Sequence, residues 1–222
     1  MNHSHTCLSR VAAAALLAFT LAAARAHSVW IEPLKDSLVV RFGEMDGRME
    51  KSPGHLDGLA VPVTFVVLTN TSSRLEASKQ TNHFALGKVS STNIVCAETT
   101  FAVMAAPGNP GRRPNFYARW HPPAAGAGTP MLTLDLVPTG KPGEVRVYFR
   151  GEPAPGVKAV YRTPDEKERE LTSDAEGFLH FTPAQPGQYH LSIGRHSEAL
   201  RGFFGGKAHG LTSHNAALTW AQ

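Results

Sequence analysis

Glu144-Val145-Arg146-Val147-Tyr148-Phe149-Arg150 alternates without a break. Val145, Val147 and Phe149 fall on one side of an extended chain. Glu144, Arg146, Tyr148 and Arg150 fall on the other. That period of two is the mark of a β-strand with one buried face. The same signal surrounds it. Leu132-Thr133-Leu134-Asp135-Leu136-Val137-Pro138 precedes it, and Gly151-Glu152-Pro153-Ala154-Pro155-Gly156 turns the chain into a further strand over residues 157–162. Thr172-Ser173-Asp174-Ala175-Glu176-Gly177 then turns into Phe178-Leu179-His180-Phe181, and Pro186-Gly187 introduces Tyr189, Leu191 and Ile193 on one face. Short strands with turn residues between them at this spacing predict a β-sandwich.

Working outward, the first half reads the same way with less regularity. Leu38-Val39-Val40-Arg41-Phe42 is a β-branched run that ends at Gly43. A polar loop over residues 44–58 follows, too long for a simple hairpin turn, and loops of that length are often functional or mobile. Strands are predicted at 61–68, with Pro62 near the start as on an edge, and at 93–101, where Cys96 reads as a small core residue. Residues 105–114 form a Pro/Gly loop. Asn115-Phe116-Tyr117-Ala118-Arg119-Trp120-His121 reads as a short helix or as an extended piece packed by its aromatics. Residues 122–130 are rich in Pro, Ala and Gly and suggest a domain boundary. His209 to Trp220 reads as a loop and a last strand. The fold class expected is all-β: a β-sandwich part over 27–130, then a second β-sandwich over 131–222.

The chain opens with a leader. Residues 1–10 are polar with one Arg, residues 11–24 are apolar, and Ala24 and Ala26 are small residues placed for cleavage, the pattern of a secretory signal peptide over 1–26. The apolar run falls short of the roughly 20 residues that span a membrane comfortably. Cys7 precedes the apolar run and leaves with the leader, so Cys96 remains alone and no intramolecular disulfide forms. The localisation expected is therefore the periplasm, with nothing membrane-spanning after cleavage. Of 22 basic and 18 acidic residues, Arg10 and Arg25 lie in the leader, which leaves the exported chain near neutrality. No block of Lys and Arg interleaved with aromatics stands out, so nucleic acid is not an expected partner.

No nucleophile elbow, phosphate loop, dinucleotide fingerprint, His-Glu-x-x-His or paired-Cys knuckle is present. No standard enzyme is expected. What remains is histidine: 11 in all, of which His3 and His5 leave with the leader. His180 and His190 alternate with core residues and point outward, to solvent or to the other half. His83 and His121 have no ligand spacing, and His196 follows a strand. For any one of these, a hydrogen-bonded surface role is the ordinary reading. His27 differs. Cleavage after Ala26 makes it the first residue, with an amine and an imidazole on one residue, anchored at once by Val29-Trp30-Ile31. Its amine has a reference pKa of about 7.7–8.0, so a metal displaces the proton readily. His55 in the long loop, and His209 and His214 flanking the last loop, are free of strand constraint and are the candidates to converge on it. Nitrogen ligands of this kind favour Cu(II), then Ni(II) and Zn(II). Glu32, Glu44 or Asp46 are the carboxylates expected to complete a harder site.

Two resemblances follow from these residues. Asp174-x-x-Gly177 and Pro186-Gly187-x-Tyr189-x-Leu191 resemble the immunoglobulin-like, carboxypeptidase-regulatory-like modules of exported bacterial proteins, which usually serve as structural modules. Ala26-His27-Ser28-Val29-Trp30-Ile31-Glu32-Pro33 directly after a signal peptide resembles the opening of the exported domain-of-unknown-function 4198 family, whose members are often labelled NikM-like after a nickel-transport component. Gly54-His55, Leu134-x-Leu136-Val137-Pro138, Gly151-x-Pro153-x-Pro155-Gly156-Val157 and Ser213-His214-Asn215-Ala216-x-Leu218 extend that resemblance along the chain. It implies an all-β periplasmic protein linked with uptake of nickel or cobalt, or of copper or iron, and no established enzyme activity. The expectation is a metal-binding accessory protein that holds a divalent transition ion (Ni, Cu or Co) at His27 with His55 and one of His209 or His214. It would pass that ion to inner- or outer-membrane uptake components. A structural or protein-binding module and a histidine-brace copper oxidase are the competing expectations.

Overall fold

The computed structural model describes residues 27–222 except 46, 69, 70 and 106; the leader 1–26 and Asp46 thus lie outside the described residues. The chain is all-β. Its first half contributes β1 (Ser28–Leu34), β2 (Ser37–Gly43), β3 (Val63–Val67), β4 (Ser72–Leu75), β5 (Ser78–Lys79), β6 (Phe84–Ala85), β7 (Ile94–Thr100) and β8 (Arg112–Trp120). Its second half contributes β9 (Leu134–Pro138), β10 (Glu144–Phe149), β11 (Glu152–Pro153), β12 (Lys158–Arg162), β13 (Glu168–Thr172) and β14 (Phe178–His180). β15 (Gln188–Glu198), β16 (Gly202–Phe204), β17 (Lys207–His209) and β18 (Leu211–Ala221) complete it. Short 3-10 turns occupy His55–Gly58 and Pro123–Ala125.

An eight-stranded sheet in the order β13-β12-β15-β18-β8-β7-β3-β4 runs through the molecule. Its strands pair antiparallel except at the centre, where β18 lies parallel to β8 from Leu211↔Arg112 to Thr219↔Trp120. Parallel neighbours of this kind belong in the interior, with both faces covered. Here β18 is buried from Thr212 to Trp220, and β8 is buried from Phe116 to Trp120. Asn115–His121 is therefore extended, and it lies at the heart of the sheet.

Alternation sorts the core into two layers. Val95, Ala97, Phe116, Ala118 and Trp120 face one way and pack against Val29, Ile31, Leu38, Val40 and Phe42 of the sheet β1-β2-β6-β5. Cys96, Tyr117, Ala216, Leu218 and Trp220 face the other way, onto Leu134, Leu136, Val145, Val147 and Leu179 of the sheet built on β9, β10, β11 and β14. The two small sheets thus sandwich the large one. Cys96 is fully buried, and burial pushes its thiol up to about 12, so it is an inert core residue. The division at 130/131 falls where the chain leaves the central sheet for β9; β18 then returns to pair with β8.

Two details place the site. β1 and β2 form a hairpin in which Ser28 faces Gly43, so His27 stands just beyond the open end of the pair. The long loop after β2 is ordered by its own hydrogen bonds. Glu44 N donates to Arg48 O (2.9 Å), Gly43 and Met49 form a bridge, and Glu50 N donates back to Phe42 O (2.9 Å). Gly43 has φ +154°, and a Cβ there would lie 2.1 Å from Arg48 O, so this close return needs glycine.

Candidate metal centre

The closed loop brings Glu50 beside His27. His27 Nε2 and Glu50 Oε1 are 2.5 Å apart, and the same oxygen is 3.6 Å from His55 Nδ1. The two imidazole centroids are 5.7 Å apart. His27, Glu50 and His55 each offer a ligand atom within 4.8 Å of the others, and they form the one such His/Cys/Asp/Glu group among the described residues.

Each member is held by its own element. His27 immediately precedes the strand whose Val29, Trp30 and Ile31 are buried. Trp30 Nε1 donates to Glu32 Oε2 (2.8 Å), so this residue anchors the strand and does not reach the site. His55 starts a 3-10 turn pinned by the fully buried Leu56. Asp57 accepts from Gly54 N (2.9 Å), Ser52 Oγ (2.8 Å) and Lys79 Nζ (3.1 Å), which hold its carboxyl below the usual range, the Gly54 bond first. The far side of the turn is clipped to the end of β7 through the Leu59–Phe101 bridge.

The walls are aromatic. Phe42 stands 5.2 Å from the His27 ring and packs on Phe101 and Phe116, and Phe101 stands 6.1 Å from the His55 ring. The pocket encloses about 160 Å³ and is further lined by Met104, Arg112, Pro114, Arg195 and Asn215 from the central-sheet side. His27 and Glu50 are about one-third exposed, at 32% and 27%, and His55 is open at 67%, so an ion can enter.

The other expected ligands lie elsewhere. His214 is buried one residue from the pocket-lining Asn215, and the strand period sends it to the opposite face. There its Nε2 contacts Glu198 Oε2 (3.0 Å), its Nδ1 contacts Tyr117 Oη (3.0 Å), and burial lowers its pKa. His209 is buried at the end of β17, where a Cβ on Gly202 would come within 3.0 Å of its Nε2. Neither converges on His27. Of the carboxylates expected, Glu32 is bound to Trp30 and Arg41, and Glu44 pairs with Arg48. Glu50 is instead the carboxylate that stands beside His27 and His55. The signal for it lay in the loop: if residues 44–49 close tightly after β2, residue 50 must return beside Phe42, next to the strand that His27 precedes.

No family model, curated protein or solved structure matches the chain. Among the described residues, no helix is long and apolar enough to cross a membrane.

The donor set is two imidazoles and one carboxylate. Bonds of about 2.0–2.2 Å to His and Glu place two ligand atoms of a tetrahedral ion about 3.4 Å apart. The Glu50–His55 spacing of 3.6 Å already fits this. The 2.5 Å His27–Glu50 contact is a hydrogen bond, and it would have to open by about 1 Å for both atoms to bind one ion. Nitrogen-rich sites of this type order the metals by the Irving–Williams series, with Cu(II) ahead of Ni(II) and Co(II).

Proposed function

We propose that the chain is an exported, non-catalytic metal-binding accessory protein that holds a divalent transition ion for an uptake system. The observation that carries this reading is Glu50 Oε1, set within reach of both His27 Nε2 and His55 Nδ1, the two histidines that line a partly open aromatic pocket. Cleavage after Ala26 adds the His27 amine as a further nitrogen. The periplasm is the compartment this requires, and Cu(II), Ni(II) or Co(II) is the cargo the donors favour. In the same reading the second half is an immunoglobulin-like module. What supports that is its connectivity, with β9-β10-β14 in one layer and β13-β12-β15-β18 in the other.

The test is calorimetric titration of protein beginning at His27 with Cu(II) and Ni(II). One ion per chain is expected, with affinity reduced at least about tenfold by Glu50→Gln or His55→Ala. An extra Ala before His27 is expected to weaken binding, because it removes the terminal amine. Unchanged affinity there removes the amine from the site. Absence of heat and of any thermal shift with Cu, Ni, Co and Zn leaves a structural module as the better reading.

A further inference from the structure

The pocket that holds His27 and His55 is also lined by two arginines of the central sheet, Arg112 and Arg195. Arg112 is half-buried in β8. Its Nη1 donates to Ser213 Oγ (2.8 Å) and its Nη2 to Met104 Sδ (3.2 Å), and none of its hydrogen bonds reaches a carboxylate. Among the described residues Arg195 has no ion pair either, whereas Arg41, Arg119, Arg150 and Arg162 each meet an Asp or Glu. Burial, and then the charge of Arg195, lower the pKa of Arg112, which places the two cations in each other's field.

The backbone goes out of its way to put Arg195 there. The β15–β18 register breaks between Ile193 and His196, so that Gly194 and Arg195 together oppose one residue of β18. Arg195 adopts φ +57°, a left-handed conformation that costs energy for any residue with a Cβ. Its N–H donates to Asn215 Oδ1 (3.0 Å), and Asn215 Nδ2 in turn donates to Asn115 O (2.9 Å). Bulges re-aim side chains and recur beside functional sites. Here the bulge places Arg195 on the lining of a pocket that Arg112 also lines.

Two like charges without an acidic partner, held beside a site for a divalent cation, form an arrangement that a bare ion makes worse and an anion relieves. Arg is the residue suited to carboxylates, because its planar fork matches their two oxygens. We propose that the pocket takes its metal as a chelate: a divalent transition ion bound by His27, Glu50 and His55 that keeps a small di- or tricarboxylate, whose free carboxylate is held by Arg112 and Arg195. This rests on the metal-binding reading above. The pocket is open beside the exposed His55, so a small acid can reach its lining.

Equilibrium dialysis of protein beginning at His27 tests this, with Ni(II) alone, citrate alone and Ni(II) citrate, and with nickel and citrate both assayed in the retained fraction. Nickel and citrate are expected to be retained together in equal amounts, and equimolar citrate is expected to strengthen nickel retention. Arg195→Gln, at an exposed position, is expected to lower the ratio of Ni(II)-citrate to Ni(II) affinity by about tenfold or more, the usual worth of a charge-assisted hydrogen bond. Arg112→Lys, which keeps the charge and loses the fork, is expected to lower the same ratio. His55→Ala is expected to lose nickel and citrate together. Nickel retained without citrate, or weakened by it, overturns the chelate and leaves the metal site standing. Citrate retained equally well without nickel also overturns it, because the arginines then form a plain anion site. Retention of neither means that the metal-binding reading has failed.

Discussion

His121 and His190 show how burial sets the chemistry of single residues in this chain. Burial pushes each imidazole down to about 4. His121 gives its Nε2 contact to Gly126 O (2.9 Å), while its Nδ1 is buried without a hydrogen-bond partner. His190 stands edge-on to Trp30, with ring centroids 6.4 Å apart, so its outward direction on β15 leads to the first half of the chain. An imidazole in the unfolded chain titrates near 6.5. Between that value and about 4 the unfolded chain binds protons that the folded one does not, so stability falls as pH drops through this window. The limit is roughly 3 kcal/mol per histidine. The melting temperature is therefore expected to fall steeply between pH 7 and about pH 4.5. His121→Gln, which can still donate to Gly126 O and does not titrate, is expected to flatten part of that fall. An unchanged slope in the variant means that His121 does not carry the acid sensitivity. At this scale the sequence showed His27 as a ligand candidate through its expected place at the mature terminus, and His55 through its freedom from strand constraint. It misplaced His214 because a one-residue difference in register decides between the pocket and the opposite layer, and register across β8 and β18 is set by residues about a hundred positions apart.

At the scale of elements, the site depends on two close approaches that glycine permits. Gly43 lets the loop after β2 fold back on Arg48 O. Gly58 lets the 3-10 turn press against Phe101, where a Cβ would lie 2.5 Å from ring Cζ. Phe101 packs in turn on Phe42 and flanks His55, so a displaced ring moves the wall of the pocket. Gly43→Ala and Gly58→Ala are each expected to cost about 2 kcal/mol in urea unfolding and to weaken Ni(II) binding, although neither residue touches the ion. Destabilisation with metal affinity intact shows that the loop and turn do not position Glu50 and His55. Strand alternation made β10, β12 and β15 plain from the residues, because each has one apolar face. β8 was harder to read. Both its faces are buried, and it carries Pro114, Asn115 and Arg119. A strand covered on both sides shows no alternation, and the charge of Arg119 is legible only beside Asp135 from another layer.

That pair ties the layers of the whole molecule together. Arg119 Nε donates to Asp135 Oδ1 (2.9 Å) and Nη2 to Oδ2 (2.6 Å), with both side chains essentially inaccessible. Met131 N and Leu132 N also donate to Asp135 Oδ2. A bidentate pair in a dry interior forces the β9 segment to dock in one position, and removing one partner leaves a buried, unpaired charge. Asp135→Ala is therefore expected to cost about 3–5 kcal/mol. The larger consequence concerns cooperativity. The Pro/Gly-rich residues 122–130 look like a linker between two units because composition reports only local chain behaviour. Yet β18 closes the sheet by lying along β8, and Thr219 Oγ1 donates to Ile31 O of the first small sheet. Separating the halves would strip a central strand of its neighbour and expose a long row of unpaired backbone groups. The chain is therefore expected to unfold in one transition. Single-Trp variants that keep Trp30 or Trp220 should report the same midpoint in urea, coincident with circular dichroism. Midpoints that separate instead mean that residues 27–130 and 131–222 hold independent stability despite the shared sheet.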